Sequence, residues 1–177
     1  MVCNSSDHCN SAETAGVGAT TKRFLAAELA FITNEADFDE RGRMKMMKTA
    51  EQLIRNAKNR IQEVSVAELF EAMKNHKTIL IDVREPDEFQ AAAIDRAVNY
   101  PRGVLEMRIH QHPLVSHHCD TMQALEHLKD QPIYLICGTG GRSALATDTL
   151  QNMGFTQVKS VQGGYQAWLE QGYPVEK

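Results

Sequence analysis

Apolar positions along this chain follow two rhythms. From Met44 to Ile61 they recur at three- and four-residue steps (Met46, Met47, Ala50, Leu53, Ile54, Ala57, Ile61), which predicts an amphipathic helix with one packing face. A shorter helix is expected over 22–32, "KRFLAAELAFI", with the acidic, polar "NEADFDERG" as a break between the two. After Ile61 short apolar runs alternate with helical stretches. "EV" leads to Ser65, an N-cap for "VAELFEAM". "TILIDV" (78–83), "AVNY", "PIYLI" (132–136) and "QVKSV" read as strands. "EPDEFQAA", "DTMQALEHL" (120–128), "SALATDTLQNM" and "GGYQAWLEQG" read as helices, the last two stopped by Gly154 and Gly172. The expected fold is α/β: an open, mostly parallel five-stranded sheet with helices on both faces, preceded by a helical N-terminal extension.

Residues 1–20 are rich in Ser, Thr, Asn, Gly and Ala and nearly free of large apolar groups. They cannot bury enough surface to offset their ordering entropy, so a disordered tail is expected. The organisation read from the chain is therefore tail (1–20), helical extension (21–60) and α/β domain (61–177). No internal repeat is visible.

Composition narrows the function classes without naming one. The 177 residues are 42% hydrophobic and 24% charged, enough to build one sizeable core. A net charge of -4 gives no global pull towards nucleic acid or an anionic membrane. No run is long enough to span a bilayer, and no basic, apolar leader opens the chain. A cytoplasmic protein with neither nucleic-acid nor membrane partner is expected. Residues 41–60 hold seven Lys or Arg against Glu51 alone. The helix over 44–60 could thus dock an acidic protein partner, although a solvated basic face is the commoner use of such a pattern.

The four cysteines (Cys3, Cys9, Cys119, Cys137) suggest no disulfide framework in a reducing compartment, so each is judged by its neighbours. Cys3, His8 and Cys9 lie on the expected tail and read as incidental rather than as metal ligands. "HQHPLVSHHCD" gathers His110, His112, His117, His118, Cys119 and Asp120, but in no compact metal motif. It reads as a polar loop before the helix at 120, with Cys119 a bystander and a conceivable second sulfur acceptor. No metal is expected. Tyr165 and Trp168, at helical spacing, read as core.

Cys137 stands apart. "YLICGTGGRSALA" places it at the end of an apolar strand, ahead of Gly138, Thr139, Gly140, Gly141, Arg142 and then Ser143, where a helix begins. In open α/β sheets ligands bind beyond the carboxyl ends of the strands. Glycines let consecutive backbone N–H groups turn inward as an anion nest, and a helix start adds unpaired donors. Arg142 adds a cation. These neighbours favour a thiolate and leave room above it for an incoming group. The loop is not a mononucleotide P-loop, because the G-x-x-x-x-G-K-[ST] spacing is missing.

"LIDVREPDEF", "NYPRGVLEMRI", "YLICGTGGRSALA" and "VQGGYQAW", in that order, resemble the single-domain rhodaneses, a sulfurtransferase family, over about residues 61–175. The resemblance implies that Cys137 accepts sulfane sulfur from a small donor such as thiosulfate. It would hold the sulfur as a persulfide and pass it to cyanide or a thiol, with no cofactor. Gly138, Thr139, Gly140, Gly141 and Arg142 would form the cradle and Ser143 would begin the helix behind it. Asp82 and Arg84, in "DVRE", would brace the loop, and Arg102, in "PRG", would stand near the entrance and attract anionic donors. Four residues separate Cys137 from Arg142, where related phosphatases and arsenate reductases carry five. The tighter loop favours sulfur transfer over oxyanion chemistry. The alternatives are a non-catalytic partner-binding module on the same fold and, less favoured, a phosphatase or arsenate reductase. One departure is plain: "AAIDRA" (92–97) stands where the family commonly has "GHIPGA". Asp95 and Arg96 replace a proline and a glycine, and Ala93 replaces a histidine, which leaves the path of this turn and the entrance geometry open.

Overall fold

The computed structural model describes residues 47–176. The tail over 1–20, the helix expected over 22–32 and Met44–Met46 lie outside the described residues. The first described helix, α1 (Ala50–Lys58), is shorter than the apolar rhythm implies. Thr49 is extended and forms a reciprocal capping box: its Oγ1 accepts from Gln52 N–H at 3.3 Å while Gln52 Oε1 accepts from Thr49 N–H at 2.9 Å. That box fixes the helix start at Ala50, so Met47, on the non-helical residues before it, lies outside the helix. The helix belongs to the compact unit running from Lys48 onward, where it packs along α6 (Gly141–Asn152). Two of its basic neighbours are already used. Lys58 pairs with Glu63 at 2.8 Å, and Arg60 grips Asp148 through two hydrogen bonds of 2.9 and 2.7 Å.

The sheet is as the alternation predicted. Its five strands are β1 (Gln62–Val64), β2 (Ile79–Asp82), β3 (Val98–Asn99), β4 (Ile133–Ile136) and β5 (Val158–Val161). They lie in the order β1-β5-β4-β2-β3, and every pairing is parallel. Side chains alternate across it with period two. Ile79, Ile81, Ile133 and Leu135 face one core with Leu105, Ile109, Val115, Leu128 and Leu150. Leu80, Tyr134, Ile136 and Val161 face the other with Val66, Leu69, Ile94 and Trp168. Helices α2 (Val66–Ala72), α3 (Pro86–Ala91), α5 (Thr121–Leu128) and α7 (Gly164–Glu170) complete the cover. Ser65 caps α2 as its sequence context predicts, and α5 starts one residue later than expected because Asp120 serves as its N-cap. Central β4 is buried at every position, and the site stands at its carboxyl end.

Two expectations change. The stretch before the helix at 120 is more than a polar loop: it forms α4 (Leu105–Arg108) and two 3-10 turns, Ile109–Gln111 and Pro113–Val115. Leu105, Ile109 and Val115 anchor it in the core, spaced too irregularly to show as a helix or strand in sequence. His112 is buried there. Its Nδ1 accepts from Leu114 N–H at 3.2 Å, and burial lowers its pKa below the usual imidazole range.

The "AAIDRA" segment also makes a tight turn, closed by Ala97 N–H donating to the Ile94 carbonyl at 3.1 Å. Arg96 sits at φ 61, the left-handed conformation that the family's glycine would adopt freely. Its guanidinium reaches the Met73 carbonyl at the end of α2, and its Nη1 lies 3.3 Å from His76 Nδ1. These contacts hold an otherwise strained arginine. Both Arg96→Ala and Arg96→Gly lose them, but only glycine also relieves the backbone. In urea unfolding the glycine variant should be the more stable of the two by about 1 kcal/mol. An alanine variant equal to or above it would show that the turn is unstrained.

Candidate active site

Cys137 follows β4 directly and is 1% exposed. The chain then turns through Gly138 and exposed Thr139 to Gly140, which caps α6 at φ 91. That turn folds the backbone amides back over the sulfur. Gly140 N–H donates to Sγ at 3.2 Å and Ser143 N–H at 3.4 Å. The Ser143 amide is one of the donors that a helix start leaves without an intrahelical partner, and it lies at the positive end of the α6 dipole. The Cys137 thiol lies 3.5 Å from Ser143 Oγ, which in turn accepts from Ser160 Oγ at 3.0 Å. Ser143 and Ser160 are both fully buried. The sulfur thus has two backbone donors and a hydroxyl pair around it, an arrangement that can carry negative charge.

The carbonyls of the same loop point the other way, towards α7. Tyr165 N–H donates to the Cys137 carbonyl at 2.7 Å and Gln166 N–H to the Gly138 carbonyl at 3.0 Å. Gly164, at φ 62, makes this approach possible: a Cβ there would stand 2.3 Å from the Cys137 carbonyl oxygen. Of the loop's own glycines only Gly140 needs a positive φ; Gly141 instead leaves room for Ile54 of α1, whose Cδ1 would lie 3.1 Å from a Cβ.

Each arginine singled out from the sequence has a carboxylate partner. Arg142 meets Glu88 of α3 as a two-pronged pair at 2.6 and 2.8 Å. The hydrogen bonds from Arg142 bring the Glu88 carboxyl down to about 2, against the cost of its burial, and Arg142 is raised chiefly by the same bonds. Asp82 and Arg84 form a buried pair at 2.7 Å. Arg84 also donates to the Glu88 carbonyl at 3.1 Å and the Ala92 carbonyl at 2.9 Å, and lies 3.9 Å over the Tyr165 ring. It therefore ties α3 and α7 together beneath the loop. Arg102 bonds Glu106 at 2.6 Å and Thr149 Oγ1 at 3.0 Å on α6, and none of its hydrogen bonds reaches the loop.

Glu88, Ser160 and Gly164 escaped the sequence reading. Glu88 lies in a helix whose charges look like a solvated face, and Ser160 sits inside a strand. Only the doubled glycine of "VQGGYQAW" left a signal. Cys119 is exposed and free. Among the described residues no group of three or more His, Cys, Asp or Glu is placed to hold a metal, although the rings of His117, His118 and His127 lie 4.1 to 6.2 Å apart. Nor is any described helix long and apolar enough to cross a membrane.

Two outcomes follow from this geometry. Gly164→Ala drives a Cβ into backbone oxygen and should lower stability by more than about 3 kcal/mol in urea unfolding; a loss below 1 kcal/mol would mean that the loop and α7 do not meet as described. Glu88 titrates below its unfolded value of 4.5. Its contribution to stability is therefore complete above that pH and fades as pH falls towards 2. Glu88→Gln should flatten the dependence of the urea midpoint on pH across this window, and an unaltered slope would contradict the pairing.

Comparison with known proteins agrees with this geometry. The rhodanese-like domain family matches residues 65–171. The human thiosulfate:glutathione sulfurtransferase is 30% identical over 112 residues, covering 60% of this chain and 92% of that protein. The adenylyltransferase and sulfurtransferase UBA4 of Meyerozyma guilliermondii is 29% identical over 110 residues, 62% of this chain but 24% of its own length, so the likeness spans about a quarter of that relative. A solved structure from Rhodopseudomonas palustris, of a protein of unknown function and possible tyrosine phosphatase, superposes with a TM-score of 0.61 at 27% identity, over 75% of this chain and 97% of that one. With the family match spanning more than half of its length, this chain belongs to the rhodanese-like domain family, whose relatives include sulfurtransferases.

Proposed function

We propose that the chain transfers sulfane sulfur through a persulfide on Cys137. The observation that carries this reading is the position of Sγ under the Gly140 and Ser143 amides, with no histidine or carboxylate among the described residues hydrogen-bonding to it. A nucleophile that must carry charge before attack and again as a persulfide benefits from fixed backbone donors in both states. The Cys137 thiolate attacks the outer sulfur of the donor; an S–S bond forms as the donor's S–S bond breaks, and sulfite or a thiolate leaves with the electron pair. Cyanide or a thiol then attacks the outer sulfur, releasing thiocyanate or a new persulfide and restoring the Cys137 thiolate. The Ser143 hydroxyl, already bonded by Ser160, can turn its hydrogen to the sulfur in the charged states. The short loop, with four residues between Cys137 and Arg142, suits a single sulfur atom better than a tetrahedral phosphate. A reducing compartment such as the cytoplasm fits this chemistry, since it keeps the thiol free.

Incubation with thiosulfate or 2-hydroxyethyl persulfide, followed by intact mass measurement, should show an added mass of one sulfur that cyanide removes as thiocyanate. Cys137→Ser should form no adduct and turn over at least about a thousandfold more slowly. No adduct with either donor, or turnover with phosphate esters instead, would overturn the reading.

A further inference from the structure

A site that takes up an anion ordinarily offers it an uncompensated cation. Among the described residues, Arg84, Arg102 and Arg142 are each paired with a carboxylate. Arg84 is buried on Asp82, Arg102 bonds Glu106, and both terminal nitrogens of Arg142 are held by Glu88. The last pair stands at the loop itself. A Cβ on Gly138, the residue after Cys137, would lie 3.3 Å from Arg142 Nη2 and 3.8 Å from Glu88 Oε1. The guanidinium and its carboxylate thus stand together beside the residue that follows the nucleophile, so a donor arriving there meets a neutralised pair rather than a bare cation. Exposed Glu85, in the turn that starts α3, adds a further negative charge felt by Arg142.

We propose that Glu88 is a specificity-determining residue: by occupying Arg142 it sets the site to draw sulfane sulfur from persulfides bearing at most one negative charge in preference to dianionic thiosulfate. The proposal rests on the sulfur-transfer reading above. Both donors react with balanced atoms. Thiosulfate gives its outer sulfur and releases sulfite, whereas a persulfide gives its outer S–H sulfur and releases a thiolate. The difference lies in charge: a carboxylate at the mouth repels a dianion about twice as strongly as a monoanion at the same distance. Thiosulfate meets that repulsion on entry and again as sulfite leaves.

The test compares kcat/KM for thiosulfate with kcat/KM for 2-hydroxyethyl persulfide, using the full chain. Glu88→Gln frees Arg142 and should raise the thiosulfate-to-persulfide ratio about tenfold, mainly through a lower thiosulfate KM. Glu88→Asp keeps the charge and should keep the wild-type ratio. An unchanged ratio in Glu88→Gln, or an equal loss with both donors, would reduce Glu88 to a loop brace and overturn the proposal. A second measurement needs no variant. In the wild-type protein, thiosulfate kcat/KM should stay flat or rise between about 20 and about 200 mM salt, because the Arg142 guanidinium at the loop is already neutralised by Glu88. A steep fall would overturn the proposal. If the wild-type chain accepts sulfur from neither donor, the sulfur-transfer reading itself has failed, which is a different result from an unmoved ratio.

Discussion

The close approach of Gly164 to the Cys137 carbonyl is the contact on which the rest of the site depends. A helix start has backbone donors with no partners, and a loop leaving a strand has carbonyls with none. Here each satisfies the other, as Tyr165 and Gln166 donate to Cys137 and Gly138. With its carbonyls held on the α7 side, the loop turns the Gly140 amide towards the sulfur, and the first turn of α6 adds that of Ser143. Two helix N-termini thus meet at one strand end, one bonding the loop's oxygens and the other its sulfur. Only a residue without a Cβ fits at 164, because the intruding atom would meet backbone rather than a side chain that could move.

The charges around the loop serve geometry before they serve attraction. Asp82 and Arg84 are both out of solvent, and Arg84 spends its remaining donors on the Glu88 and Ala92 carbonyls. A buried pair of this kind is costly to break and adds little over an apolar packing, so its value here lies in fixing where α3 begins and ends. Arg142 and Glu88 then link α6 to α3 across the mouth. The loop is clamped from three sides by α1, α3 and α7, and its one full exposure to solvent is at Thr139.

Much of the fold could be read from the chain because the signals were local. Continuous apolar runs marked β2 and β4, and Ser65, Gly154 and Gly172 marked helix ends through their own side chains or lack of one. The placing of Cys137 and its glycines at a strand end was legible for the same reason, whereas the Asp82–Arg84 pair came from the family's motif alone. What escaped reading depends on partners distant in sequence. Glu88 acquires its meaning only when Arg142 arrives 54 positions later. Ser160 matters only because β5 lies beside β4 and points its hydroxyl at Ser143. Residues 105–115 are held by Leu105, Ile109 and Val115 across a helical turn and two 3-10 turns, so no single period could show them. Arg96 is instructive in the opposite sense: the sequence leaves the turn open, and the backbone takes a glycine's conformation with an arginine because the side chain finds the Met73 carbonyl.

The central claim is that backbone amides, rather than a basic side chain, hold the charge on sulfur. The most direct measurement is the amide proton shift of Gly140 and Ser143 by NMR, followed as Cys137 is converted from thiol to persulfide and back by cyanide. Both amides should move together and reversibly with the state of the sulfur, beyond any change at Thr139. If they stay fixed while the mass shows Cys137 carrying the extra sulfur, the charge is held elsewhere and the account is wrong.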